Sequence, residues 1–352
     1  MAQAVDLELL RQLCLARGVS GREEEVRGLI YEQVKDYAAC RTDNLGNLIV
    51  EKKGAKRARV RLMLSAHMDE VGFIITHVTK EGYLKFASVG GVDPRVAFGR
   101  SVLVGDRCLP GVIGVKPIHL LKGGEESKVP PLDEQYIDIG AQDEAQALQY
   151  VQPGDIASFT GSFLCENGVI QAKALDDRAG CAVLIGMIRS PLPYDMTFCF
   201  TVQEETGLKG AKTAAYSVRP QAALVVESTT AADIPSVAEE KQVCRLGKGA
   251  VLSFMDRSTL YDREYYLLTQ QAARAAGVKW QPKQAVAGGN DAGAIHVSRG
   301  GVRTAAVSLP CRYLHSAVGM IACDDLEAVA QTVREAACRI AAGEGPAQED
   351  CL

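Results

Sequence analysis

The stretch Phe198-Cys199-Phe200-Thr201-Val202-Gln203-Glu204-Glu205-Thr206-Gly207 decides how the rest of the 352-residue chain is read. It opens as an apolar, β-rich run and closes on two adjacent carboxylates. A glycine follows, then a segment with helical texture. That is the pattern of a buried strand ending at the edge of an open α/β sheet, where ligands usually bind. Neighbouring side chains at a strand end point in different directions. One Glu can therefore bind a metal while the other faces a water.

Downstream, the sequence predicts a helix over 207–216 and a strand over Ala223-Leu224-Val225-Val226-Glu227, which again closes on a carboxylate. Upstream, Lys173-Ala174-Leu175-Asp176-Asp177-Arg178 leads into a Gly/Ala-rich helix from Ala179 to Ile188. Farther out, Val60-Arg61-Leu62-Met63-Leu64-Ser65 is a strand that ends in Ala66-His67-Met68-Asp69-Glu70. Ala250 to Phe254 and Thr304 to Leu309 read as strands, with helices over about 262–276 and 324–341. Residues 5–17 and 22–36 carry helical spacing, and Ser20-Gly21-Arg22-Glu23-Glu24 between them reads as a cap and an acidic first turn. Asn44-Leu45-Gly46-Asn47 is a turn into the short strand Leu48-Ile49-Val50, and Lys52-Lys53-Gly54 is a solvated turn.

Near residue 71 the texture changes. Short β-like runs (Val71 to Val78, Tyr83 to Val89, Ser101 to Val104, Val112 to Val115) are separated by Gly, Pro and charged turns. That is the rhythm of a small all-β lobe. Lys122-Gly123-Gly124-Glu125-Glu126 is a polar loop, and residues 142–150 form one short helix. The expected organisation is an α/β domain built from 1–70 and 161–345, interrupted by a β-rich insertion at 71–160. Residues 346–352 are a polar tail.

A chain of this length exceeds one ordinary core. With a net charge of −4 it offers no basic face for nucleic acid. No apolar run approaches a membrane span, and Met1 to Asp6 lacks the features of a secretory signal. The eleven Cys are scattered without a CxxC pair, which suits a reducing cytoplasm rather than a disulfide framework.

Five places share one feature: a His or carboxylate at or just past an apolar run. They are His67/Asp69, Asp176/Asp177, Glu204/Glu205, Glu227 and His315. Two His and several carboxylates suit Zn²⁺, Co²⁺ or Mn²⁺ in an open, catalytic site. Singly, each has an ordinary alternative. A strand-end His can be a hydrogen-bonded structural residue, and Asp176-Asp177 a helix cap beside the dipole. Glu204-Glu205 can be a solvated strand end, and Glu227 can cap a Ser228-Thr229-Thr230 turn. His77, His119 and His296 lack such company and read as structural or surface residues.

Taken in order, five motifs carry a resemblance: His67-Met68-Asp69-Glu70-Val71-Gly72-Phe73, Ala174-Leu175-Asp176-Asp177-Arg178-Ala179-Gly180, Gln203-Glu204-Glu205-Thr206-Gly207-Leu208-Lys209-Gly210-Ala211, Gly288-Gly289-Asn290-Asp291-Ala292-Gly293-Ala294-Ile295 and Arg312-Tyr313-Leu314-His315-Ser316. The chain resembles the tetrahedral/glutamyl aminopeptidase family of dinuclear metallopeptidases, some of whose members carry an endoglucanase or cellulase label. The resemblance implies a mixed sheet with helices on both faces, and a barrel-like dimerisation lobe. It implies two divalent metal ions, with His67 and Glu227 on one, Glu205 and His315 on the other, and Asp176 bridging both. Glu204 would be the general base, and Asp69 would hold the ring of His67, since a ligand His needs its other nitrogen fixed. Asp177 would position the surrounding chain. It further implies short peptide substrates, and dimers assembled into a tetrahedral dodecamer. The family's members differ in preferring acidic, aliphatic or basic first residues.

There are two departures from the family pattern. Glu227 stands where Asp is common, and Asn290 where Thr is common. A glycoside hydrolase is the competing enzyme reading, but two-carboxylate sugar chemistry needs no metal and gives no reason for His67 and His315. A non-catalytic binding protein on the same scaffold is the third reading. It requires a missing ligand or base, and none is missing.

Overall fold

The computed structural model describes residues 5–124 and 128–345. The end of the expected polar loop (Glu125 and Glu126) and the 346–352 tail lie outside the described residues. In chain order the strands are β1 (Ala39–Thr42), β2 (Leu48–Lys52), β3 (Leu62–His67), β4 (Gly72–Val78), β5 (Leu84–Val89), β6 (Ser101–Val104), β7 (Leu109–Gly114), β8 (Tyr136–Asp138) and β9 (Ile156–Phe159). They continue as β10 (Phe163–Glu166), β11 (Val169–Ala172), β12 (Met196–Thr201), β13 (Ala222–Thr230), β14 (Ala250–Leu252), β15 (Trp280–Pro282), β16 (Arg303–Cys311) and β17 (Gly319–Ala322).

Eight strands form one mixed sheet in the order β1-β2-β12-β3-β13-β16-β14-β15. Its four central members, β12, β3, β13 and β16, run parallel to one another. Parallel strands covered on both faces read as continuous apolar runs, and β3 and β12 are buried along nearly their whole length. The two faces still separate by the strand period of two. Leu62, Leu64, Phe198, Phe200, Leu224 and Val226 pack into the larger core. Met63, Cys199, Ala223 and Val225 pack into the smaller one on the other side.

Helices cover both faces. Leu7–Leu15, Glu24–Val34, Leu175–Arg189, Arg263–Ala276 and Cys323–Ala342 contribute to the larger core, and Lys209–Val218 and Ala292–Ile295 to the smaller. The ends are set by ordinary capping chemistry. Asp6 accepts from the Glu8 and Leu9 amides at 3.0 and 3.1 Å, and Asp262 from Tyr265 at 3.1 Å. Gly277 and Gly343, both left-handed, stop the last two long helices.

Strands β4 to β9 close into a six-stranded antiparallel barrel in the order β4-β5-β8-β7-β6-β9. Its centre holds Phe73, which meets Phe86 and Phe159 edge-on at 4.9 and 5.2 Å. A third, three-stranded sheet, β10-β11-β17, pairs the chain after the barrel with the segment that follows His315.

The structure corrects one local expectation and removes one alternative. Ser20 does not cap the second helix. Its hydroxyl donates to Asp69 Oδ2 at 2.5 Å, and the helix starts at Glu24 without a side-chain cap. Residues 228–230 are not a turn capped by Glu227, because they continue β13. Strands β1, β15 and β17 are short additions that sequence patterning does not single out.

The junction between β3 and β4 is held by a buried ion cluster. Lys173 Nζ donates to Glu70 Oε1 and Oε2 at 2.6 and 2.7 Å, and the Gly18 amide to Oε1 at 3.1 Å. Arg178 lies 3.7 Å from the same carboxylate. Removing one member of such a cluster leaves charge stranded without water. Glu70→Gln strands two buried cations and should lower stability to chemical denaturation by about 3–5 kcal/mol at fixed protein concentration. A loss under about 1 kcal/mol would mean that the cluster is not needed to hold the junction.

Candidate metal centre

The parallel strands bring the candidate residues together at their carboxyl ends. His67 is the last residue of β3, and its register partner on β12 is Thr201, just ahead of the Glu204-Glu205 turn. Glu227 lies on β13 opposite Ser308 of β16. His315 follows the end of β16, and Asp176 sits at the start of the helix Leu175–Arg189. The turns carrying these side chains depart from ordinary backbone geometry. Ala174, Gln203, Tyr313 and His315 are non-glycine residues with left-handed φ of 52°, 54°, 61° and 55°. Such conformations are uncommon and collect where surrounding structure holds a site in place.

Asp176 stands between two groups. Its Oδ1 is 3.3 Å from His67 Nε2, which is 3.4 Å from Glu227 Oε1. Its Oδ2 is 3.6 Å from His315 Nε2, which is 3.3 Å from Glu205 Oε2. His67 and Glu227 are buried, and His315 is partly open to solvent. Asp177 is fully buried. One oxygen accepts from the Gly180 amide at 3.0 Å, and the other has no partner. It also lies close enough to Asp176 and Glu227 to share a cation with them.

Asp69 is a hub. Its Oδ1 accepts from the Glu204 amide at 2.9 Å, and its Oδ2 from the Glu205 amide at 3.1 Å. Nδ1 of His67 is 3.1 Å from the Asp69 carbonyl oxygen and 3.5 Å from its carboxylate. One residue thus fixes both the imidazole ring and the turn bearing the two Glu.

The electrostatics fit a cation site. Burial pushes the Glu204 and Glu227 carboxyls well above the usual range and Glu205 up to about 7. Burial acts to lower His315, yet Asp176 and Glu205 raise it to about 9. The protein alone therefore gathers protons to offset an excess of buried negative charge. Three carboxylates and two imidazoles, with no thiolate, form the oxygen/nitrogen donor set that divalent zinc, cobalt or manganese accepts.

A cavity of about 180 Å³ opens beside these groups, with His67, Asp176, Glu204, Glu205, Glu227 and His315 on one side. The Gly288-Gly289-Asn290 loop forms part of the opposite wall. His77 and His119 are exposed and His296 binds the Ala292 carbonyl, so none of the three joins the site.

The M42 glutamyl aminopeptidase family model matches residues 46–332. The chain belongs to the M42 family. It is an enzyme, an aminopeptidase by that membership. A lysyl aminopeptidase from Pyrococcus furiosus is 31% identical, the match covering 92% of this chain and 94% of the relative. A glutamyl aminopeptidase from Lactococcus lactis is 32% identical over 83% and 86% of the two chains. Among solved structures, the TET aminopeptidase of a marine sediment thaumarchaeon superposes with a TM-score of 0.90 at 36% identity, covering 95% of this chain and 96% of its own. The Pyrococcus horikoshii TET1 peptidase, described as assembling into a tetrahedron or a large octahedral shell, scores 0.83 at 37% identity over 94% and 98%.

Sequence reasoning missed several residues that position this M42 site. Asn47, fully buried, accepts from the Val202 amide at 3.0 Å and donates to the Gly210 carbonyl at 3.0 Å. A Cβ on Gly210 would fall 2.3 Å from the Val202 carbonyl oxygen, so only glycine permits this approach. Glu23 accepts from the Gln203 amide at 3.1 Å. Asp291, buried beneath the site, accepts from Ser65 and Thr201 at 2.9 and 2.6 Å. Their residue types signal turns or caps, and nothing local in the sequence marks them as buried.

Proposed function

We propose that this M42 enzyme removes N-terminal residues from short peptides at a site that holds two divalent metal ions. His67 and Glu227 would hold one, Glu205 and His315 the other, and Asp176 both. Zinc or cobalt suits the donors best, with manganese a third option. The observation that carries this reading is Asp176, whose two oxygens face two different His–carboxylate pairs. When bound, such a pair supplies Lewis-acid polarisation of a carbonyl and lowers the pKa of water.

The chain's own residues do the rest. Glu204 takes a proton from the attacking water and returns it to the departing amine. Burial raises its proton affinity in the protein alone, and bound cations would offset that rise and leave the carboxylate free to accept a proton. Asp69 holds the Glu204-Glu205 turn and the His67 ring in mutual register. The cavity wall opposite these groups receives the side chain of the first residue.

Residues 71–160 form the dimerisation lobe inserted between the two parts of the catalytic domain, 1–70 and 161–345. The closed barrel within that range supports this, as do Ile118 and Leu120, whose apolar side chains are exposed by 76% and 56%. The assembly described for the P. horikoshii relative supports homo-oligomerisation into a tetrahedral dodecamer. The protein belongs in the cytoplasm, a placement supported by ten free cysteines among the described residues. No helix among the described residues is long and apolar enough to cross a membrane.

Light scattering of the metal-loaded protein should give about twelve subunits, as a tetrahedral assembly requires; a fully active monomer would overturn the assembly. The roles of the adjacent acids are separated by paired variants. Glu204→Gln should keep two equivalents of metal while kcat falls by about 10²–10⁴-fold. Glu205→Gln should lose affinity for one metal and recover part of its activity in excess Zn²⁺ or Co²⁺. If Glu204→Gln is the variant rescued by metal and Glu205→Gln stays loaded and inactive, the two roles are exchanged.

A further inference from the structure

We infer that Cys165 and Cys323 form an oxidisable dithiol, closed by a small-molecule disulfide and reopened by thiols, and that the closed form staples the sheet β10-β11-β17. The inference stands apart from the aminopeptidase reading and does not need it.

The two residues lie 158 positions apart in the chain, yet their sulfurs are 3.9 Å from each other. Backbone pairing brings them together. Cys165 sits on β10, the outer strand of the three-stranded sheet, opposite Ile170, and Ile170 is opposite Ile321 of β17. Cys323 opens the helix Cys323–Ala342, half-buried against the larger core. Its amide donates to the Gly168 carbonyl, in the turn between β10 and β11, at 2.9 Å. That bond folds the start of the helix back onto the hairpin. The thiols are therefore carried by backbone that is already ordered, and joining them costs little further ordering. A disulfide bond is about 2.05 Å long, so the sulfurs must approach by roughly 1.9 Å, a shift within reach of side-chain rotation.

The other described cysteines offer no such pair. Cys14, Cys181, Cys199, Cys244 and Cys311 are buried. Cys40 and Cys108 meet the backbone carbonyls of Ala38 and Asp106. Among the described residues, no His, Asp, Glu or third Cys completes a cation-binding group with Cys165 and Cys323. A structural zinc site needs four such ligands, so redox chemistry is what this pair is built for.

Cys165 is the exposed partner and meets the oxidant first. Its thiolate attacks one sulfur of glutathione disulfide, forms a mixed disulfide and expels one glutathione thiolate. Cys323, as thiolate, then attacks the Cys165 sulfur, forms the protein disulfide and expels the second glutathione. Two protein thiols are oxidised, one disulfide is reduced to two thiols, and the two protons pass to the leaving thiolates. Burial and the neighbouring Cys165 sulfur push the Cys323 thiol up to about 11. The mixed disulfide removes the Cys165 charge, and part of that rise, at the step where Cys323 must ionise.

The staple lies beside two turns that matter. β11 runs on toward Asp176, and β17 follows the turn that carries His315. Arg312 and Met320, at the two ends of that turn, exchange backbone hydrogen bonds of 2.9 and 3.0 Å. Joining Cys165 to Cys323 holds the strands by which the chain approaches Asp176 and leaves His315.

The test incubates the full-length protein with glutathione disulfide and then with dithiothreitol. Free thiols are alkylated under denaturing conditions and the tryptic peptides weighed; those bearing Cys165 and Cys323 each hold a single cysteine. The oxidised sample should contain these two peptides joined, released by dithiothreitol, with Cys40, Cys108 and Cys338 alkylated. Hydrogen exchange at the β11 and β17 amides should slow by about 10-fold or more on oxidation. Cys323→Ser should stop at a glutathione adduct on Cys165, and Cys165→Ser should form no link; neither should show the slowed exchange. A wild type that stops at the adduct, links Cys165 between two copies, or takes up no oxidant overturns the dithiol. A link that forms without slowing exchange in β11 and β17 overturns the staple. Should a Ser variant fail to fold, the wild-type peptide map and exchange rates decide alone.

Discussion

Like charges crowd one end of the central sheet, and much of this structure exists to hold them there. Asp176, Glu204, Glu205 and Glu227 converge in a cleft where burial raises the cost of every uncompensated charge. In the protein alone the two His answer part of that charge and protons answer more. Divalent cations would answer it better, because each brings two charges and accepts several oxygen and nitrogen donors at once. The fold's task is to keep those donors in place against their mutual repulsion.

Three devices do this. The parallel register of β12, β3, β13 and β16 sets His67, the Glu204-Glu205 turn, Glu227 and the approach to His315 at one edge. Buried polar side chains then lock the turns. Asp69 binds consecutive amides of the two Glu, Glu23 binds the amide of Gln203, and Asn47 binds that of Val202. Beneath them the Glu70–Lys173–Arg178 cluster fastens the end of β3 to the N-terminal segment and to the chain just before Asp176. A carboxylate displaced by an ångström at this edge would lose its partner and keep its desolvation cost.

The sheet was legible because strands buried on both faces write themselves as apolar runs, and the barrel because its strands alternate between turn residues. The convergence of His67, Asp176, Glu204, Glu205, Glu227 and His315 on one edge was legible for the same reason: a His or carboxylate placed after such a run is carried to the end of the sheet. Residues whose meaning depends on distant chain were not legible. Ser20 has the local signature of a helix cap, but Asp69 lies close enough to take its hydroxyl. Asn47 sits in a turn motif while its side chain ties two elements together across 163 residues. Lys283, in Gln281-Pro282-Lys283-Gln284, carries no local signal, and only the pairing of β14 with β15 and β16 places it on the cavity wall.

The central claim is that one carboxylate, Asp176, organises two cations. Anomalous X-ray scattering at the zinc edge, from crystals of the zinc-loaded protein, addresses it directly. The account predicts two peaks per subunit, one against His67 and Glu227 and one against Glu205 and His315, with Asp176 between them. A single peak, or a pair bridged by Asp177 in place of Asp176, would contradict it.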